Sequence, residues 1–217
     1  MPGKRVERMD EEKKERLLRA AIREFGAHGF ELASMNRILD EAGLSKSSFY
    51  YFFHDKTDLA AAALLASARA SETLLDLREP RTAREFWGEL RRVSLANVAS
   101  LQTRRDEYEC VTRLSGLLSK DPAFAAKVMP HFEPNRRKMM EFLQRGVTLG
   151  AMRSDVPLPL LMALIESVKA TAWRVLYADR PATGTELQSF ADLTLDLAQR
   201  LTAPPKHTKS KTKGSNR

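Results

Sequence analysis

Three observations predict an all-α fold. Apolar residues recur at i, i+3, i+4 and i+7 along most of the stretch from residue 11 to residue 201. No run of strict apolar/polar alternation interrupts that pattern, and no Asn-Gly or Asp-Gly pair marks a hairpin.

The elements follow in order. Leu18, Ala21, Ile22 and Phe25 form a first stripe, which Gly26 and Gly29 are expected to stop. Met35, Ile38, Leu39 and Ala42 form a second, opened by Ser34 as N-cap and closed by Gly43. Leu44, Phe49, Phe52 and Phe53 form a third directly after that glycine. An alanine-rich helix is expected from Thr57 to Leu77, ending near Pro80. Thr82-Ala83-Arg84-Glu85 reads as a capping box for a helix reaching Arg104. A shorter helix is expected over Glu107–Leu118, and Asp121-Pro122 caps the next. Pro130 and Pro134 are expected to break that one, with a new start near Pro134 and a long helix to Leu149. Two helices close the pattern, Leu158–Leu176 and Thr185–Leu201.

The helix at 158–176 is apolar on nearly every face, through Leu160, Leu161, Leu164, Ile165, Val168, Val175 and others. Such a helix needs cover on two sides. Its own domain supplies one, and a second copy of the chain is the favoured cover for the other, against a central place in a larger monomeric bundle.

The 217 residues carry a net charge of +8, unevenly spread. Residues 1–59 hold 11 basic and 11 acidic side chains, whereas 204–217 hold 5 basic and no acidic ones, so the excess lies mainly in a tail that reads as disordered. Bulk charge therefore does not by itself identify a nucleic-acid binder. One cysteine, Cys110, excludes an intrachain disulfide and a cysteine-based zinc site. No apolar run approaches the roughly 18 residues of a membrane span, and the first residues carry no signal-peptide core, so a cytoplasmic protein with no membrane association is expected. His131-x-Glu133 reads as a solvated loop rather than a metal site, and no cofactor is expected. No Walker loop, nucleophile elbow or paired nucleophile and base is present, so the chain is not read as an enzyme.

The most specific signal lies at residues 34–53. With Gly43 as the turn, Ile38 and Ala42 face inward on one short helix, and Leu44, Phe49 and Phe52 on the next. Ser45, Lys46, Ser47, Ser48, Tyr50 and Tyr51 cover the remaining surface: small or flat hydrogen-bonding groups with a single charge, suited to a major groove.

Residues 11–59 resemble the DNA-binding domain of the TetR (tetracycline repressor-like) family of bacterial transcriptional regulators. Gly29-Phe30, Ser34-Met35-Asn36-Arg37-Ile38 and the ungapped run from Gly43 through Lys46, Ser47, Ser48, Tyr50, Tyr51 and Phe52 to Lys56 and Leu59 carry the likeness. The resemblance implies a helix-turn-helix domain over 1–59, a helical ligand-binding and dimerisation domain over 60–203, and a basic tail over 204–217. It implies that Ser34 caps the second helix and touches a phosphate, and that Asn36 and Arg37 contact bases or backbone. Lys46, Ser47, Ser48 and Tyr51 would face the groove, and Tyr50 and Lys56 would reach phosphates. Tyr51 stands where the family usually has histidine and Ser47 where it has glycine, so no base preference carries over. Leu39 replaces the usual alanine at a close helix approach.

The same resemblance implies a homodimer through the helices near 158–176 and 185–201, double-stranded DNA as partner, and a small-molecule effector held by the C-terminal domain. Trp87, Tyr108, Met129, Phe132, Met139, Phe142, Trp173 and Tyr177 are candidate lining residues. The implied function is a ligand-responsive repressor acting as a homodimer on a palindromic operator. The alternative is a helical DNA-binding adaptor or architectural protein without an effector pocket.

Overall fold

The computed structural model describes residues 9–72, 76–177 and 183–205. Helices account for the regular structure, and no strand occurs among the described residues. In chain order they are α1 (Glu11–Leu32), α2 (Met35–Ala42), α3 (Lys46–Phe52), α4 (Lys56–Glu72), α5 (Ala83–Thr103), α6 (Arg105–Leu114), α7 (Leu117–Lys120), α8 (Pro122–Thr148), α9 (Leu158–Tyr177) and α10 (Gly184–Thr202). They form two compact units, one from the described residues of Met1–Asp76 and Val93–Lys138, the other from those of Leu77–Arg92 and Met139–Arg217. The basic tail beyond residue 205 lies outside the described residues.

In the first unit, α1 buries Leu17, Ala20, Ala21 and Phe25 against Ile38 and Leu39 of α2, Phe49 of α3, Leu59 and Leu64 of α4, and Cys110 and Leu114 of α6. Helix α1 packs on α2, α4 and α6. Gly26 lies where α1 meets α6: a Cβ there would stand 3.1 Å from the Asp106 carbonyl oxygen and 3.3 Å from the Cys110 amide nitrogen. Gly26 is thus a crossing point rather than the helix stop expected of it. The break falls at Gly29, whose φ of 69° only glycine adopts without strain, and one further turn runs to Leu32. Cys110 is fully buried, and burial pushes its thiol up to about 12, so it packs as a small apolar group.

Other boundaries also shift. The helix expected over Glu107–Leu118 begins earlier and is two short pieces, α6 and α7. The Thr82 hydroxyl accepts from the Glu85 amide at 3.1 Å, but the Glu85 carboxylate reaches back to the Arg81 amide at 2.8 Å rather than to Thr82, so the capping box is displaced by one residue. Asp121 caps α8 as read, accepting from the Ala123 and Phe124 amides at 2.9 and 3.0 Å.

The break expected between Pro130 and Pro134 is absent. Helix α8 runs unbroken from Pro122 to Thr148 through both prolines, and His131 and Glu133 lie on it rather than in a loop. The two prolines stand one turn apart on an exposed stretch, while Phe124 and Val128 anchor the buried side. The carbonyls that lose an amide partner, those of Ala126 and Pro130, belong to exposed residues where water can satisfy them.

The second unit is centred on Phe86, whose ring stacks on Phe142 at 4.9 Å while Trp87 meets it edge-on at 5.1 Å. Leu143, Met152 and Leu161 complete that core. Gly146 makes room for it: a Cβ there would lie 2.4 Å from Cε2 of Phe86. Thr183 and Glu186 form a complete capping box for α10. Helix α10 packs along α9 and buries Leu187, Phe190, Ala191, Thr194 and Ala198.

Candidate nucleic-acid interface

The reading head is built from α2, the Gly43 turn and α3. Gly43 takes a left-handed conformation (φ 65°, ψ 37°), and the Gly43 and Leu44 amides close α2 on the Asp40 and Leu39 carbonyls at 3.2 and 2.9 Å. Ser45 then caps α3, its hydroxyl accepting from the Ser48 amide at 3.1 Å and lying 3.0 Å from the Ser47 and Ser48 hydroxyls. Phe49 and Phe53 stack at 5.4 Å and are buried, fixing α3 against the core. Lys46, Ser47, Tyr50 and Tyr51 then fall on one exposed face, with Ser48 half-buried at its edge. Tyr50 and Tyr51 are 61% and 56% exposed, large values for rings, and each is steadied edge-on by a neighbouring phenylalanine, Phe49 and Phe52.

The start of α2 is held from α1. Ser34 caps it, the hydroxyl accepting from the Arg37 amide at 3.4 Å, and the Ser34 amide itself donates to Glu24 at 2.7 Å. Glu24 is buried and also accepts from Nε of Arg37, which is 3.1 Å from both carboxylate oxygens. The Arg37 hydrogen bonds hold this carboxyl below its ordinary range, outweighing a burial that pushes the other way. Arg37 therefore stands at the surface with its guanidinium already oriented, and Asn36 beside it is exposed.

Lys56, at the start of α4, donates its ammonium to the Ala33 and Glu31 carbonyls at 2.7 and 3.3 Å and lies over the Phe30 ring at 5.0 Å. It braces the end of α1 just before Ser34. Two residues later Asp58, buried, caps back onto the His54 amide at 3.1 Å and pairs with Lys127 of α8.

Glu24 and the bracing role of Lys56 were not legible in the motif alone. Glu24 did leave a signal: it occupies the inward register Leu17, Ala20, Ala21, Glu24, where an acid requires a buried partner.

The candidate effector residues divide between the units. Tyr108, Met129 and Phe132 belong to the first, and Trp87, Met139, Phe142, Trp173 and Tyr177 to the second. Trp87, Met139 and Phe142 join the Phe86 core, while the side chains of Trp173 and Tyr177 lie outside what the structure describes. Tyr108 is half-buried, its hydroxyl pKa raised by burial. Phe132 lines a groove of about 280 Å³ between α4 and α8, with Leu65 and Arg69 across from it.

Two short helices joined at a left-handed glycine, with aromatic side chains holding the second so that its polar face points outward, define a helix-turn-helix DNA-binding regulator. Residues 17–63 match the family described as bacterial regulatory proteins, tetR family. Over 157 residues the chain is 29% identical to the HTH-type transcriptional repressor AcnR of Corynebacterium diphtheriae, covering 72% of this chain and 76% of that protein. Over 187 residues it is 27% identical to AcnR of Corynebacterium glutamicum, covering 86% and 90%. Among solved structures, a tetR family transcription regulator from Shewanella sp. PV-4 superposes with a TM-score of 0.68 at 16% identity, over 88% of this chain and 98% of that one. A TetR family regulator from Chloroflexus aurantiacus gives 0.63 at 19%, over 92% and 97%. The chain belongs to the tetR family of bacterial regulatory proteins. No helix among the described residues is long and apolar enough to cross a membrane.

Proposed function

We propose that the protein is a homodimeric repressor that reads a palindromic operator and releases it when a small molecule binds. The carrying observation is the exposed face of α3, where Lys46, Ser47, Tyr50 and Tyr51 stand on a helix locked from behind by Phe49 and Phe53. Those side chains enter the major groove, with Ser48 at their edge, while Ser34, Asn36, Arg37 and Lys56 set α2 against the phosphates. The AcnR relatives are named as transcriptional repressors, which supports repression as the outcome of binding.

In this reading residues 1–59 are the DNA-binding domain, 60–203 the effector and dimerisation domain, and 204–217 a basic tail. The dimer surface is supported by apolar side chains left exposed on the last two helices. Leu193, Leu197 and Leu201 stand at i, i+4 and i+8 along α10, and Leu160, Leu164 and Val175 are exposed on α9. A row of leucines at that spacing is the pattern of a helix seam. Two copies would present their α3 helices to half-sites about one helical turn apart.

Selection of bound sequences from a random duplex library at two salt concentrations tests the proposal. A two-fold symmetric sequence retained at the higher salt is the expected result. Binding without sequence enrichment that disappears with salt would reduce it to surface charge.

A further inference from the structure

We propose that the groove between α4 and α8 binds a small organic carboxylate, with Arg69 as the charged partner and the body of the molecule against Leu65 and Phe132. This rests on the ligand-responsive reading above and names the class of ligand. The groove lies wholly within the first unit, and its lining mixes two kinds of surface. Leu65 and Phe132 supply an apolar floor, with Leu65 buried and Phe132 half-buried. Arg69, His131 and Asn135 supply a guanidinium, an imidazole and a carboxamide, and no acid is among the lining residues.

That chemistry selects by sign and by size. Arginine presents paired N–H donors that match the two oxygens of a carboxylate, and the carboxamide and imidazole can bond its outer lone pairs. A cation would meet Arg69 with no acid in the lining to offset it, and a fully polar ion would leave the Leu65–Phe132 floor uncovered. At about 280 Å³ the groove lies at the small end of ligand sites, which suits a short chain rather than a large ring system.

The position gives such a ligand a route to the DNA face. Asp58 and Lys127 pin α4 to α8, and the groove opens along the same two helices beyond that pair. The α4 wall is continuous with Lys56, which braces the chain just before the start of α2.

Calorimetric titration of the full chain with hexanoate, hexanamide and hexylamine tests this, alongside anisotropy of a duplex selected as above. Hexanoate is expected to bind, with hexanamide and hexylamine at least tenfold weaker. Arg69→Gln is expected to lower hexanoate affinity at least tenfold with an unchanged melting temperature, because Arg69 is exposed. Ala68→Trp, which fills the groove, is expected to abolish binding. Equal binding of acid and amide, or wild-type affinity in Arg69→Gln, overturns the assignment. Arg69-dependent binding that leaves the duplex bound would keep the site and refute the ligand-responsive reading. Release of the duplex by another compound, with no carboxylate bound, would do the reverse.

Discussion

Glu24 and Arg37 lie 13 residues apart and form a single unit at the start of α2, the buried carboxylate accepting from Nε of Arg37 at 3.1 Å and from the Ser34 amide at 2.7 Å. One acid on α1 thus fixes both a helix end and an exposed guanidinium that faces away from the core. Glu24→Ala is expected to lower stability by about 1–2 kcal/mol, the range for losing charge-assisted hydrogen bonds. Urea unfolding gives the stability change, and the affinity for a selected duplex should fall with it, since Ser34 and Arg37 lose their common anchor. Full affinity in a Glu24→Ala protein that remains folded would remove Glu24 from the interface argument.

The same pair gives a pH dependence of known sign. The Glu24 carboxyl is held below its ordinary value in the folded state, so its ionised form stabilises the fold above the unfolded value, about 4.3. That contribution is lost as pH falls through the lowered folded value. The difference in urea midpoint between wild type and Glu24→Gln should be constant from pH 7 to about 5 and shrink below it. A difference that grows on acidification would contradict the pairing.

Lys56 offers two measurable consequences from one side chain. Two of its ammonium hydrogens are taken by the Ala33 and Glu31 carbonyls, which leaves one for a phosphate. Lys56→Ala is therefore expected to lower the unfolding free energy by about 1 kcal/mol and to reduce the slope of log K against log salt by about 0.9. Tyr50→Phe should weaken binding to all sequences alike, whereas Lys46→Ala should alter the selected sequence. An unchanged salt slope in Lys56→Ala would confine that residue to the brace.

The division between what was legible and what was not has physical causes. The α2–turn–α3 motif could be read because each requirement is local: Ser34 and Ser45 at N-caps, a glycine where φ is positive, and Phe49 at inward spacing. The expected break at Pro130 failed because a proline's cost depends on whether the freed carbonyl meets water, which sequence does not reveal. Gly26 was misread for a related reason: its small size serves a crossing with α6, a partner about 80 residues away in sequence. The Phe132 groove was half legible, since an aromatic was expected near a ligand while Arg69, His131 and Asn135 were not singled out.

The second unit supplies a test of packing independent of DNA. Phe86 is fully buried, and its ring occupies the space where Gly146 would carry a side chain, 2.4 Å from an added Cβ. The ring cannot yield easily, because Phe142 stacks on it at 4.9 Å and Trp87 closes on its edge at 5.1 Å. Helix propensity alone would favour alanine over glycine by about 1 kcal/mol, but overpacking a filled core costs about 1–3 kcal/mol. The two terms oppose each other, and at this separation overpacking should win, so Gly146→Ala is expected to lower the urea midpoint. In a Phe86→Leu background the obstructing ring is gone and the sign should reverse, with alanine now favoured at 146. A Gly146→Ala protein more stable than wild type would mean that the Phe86 ring shifts freely, and the stacked arrangement with Phe142 would then lose its role in positioning α5 against α8.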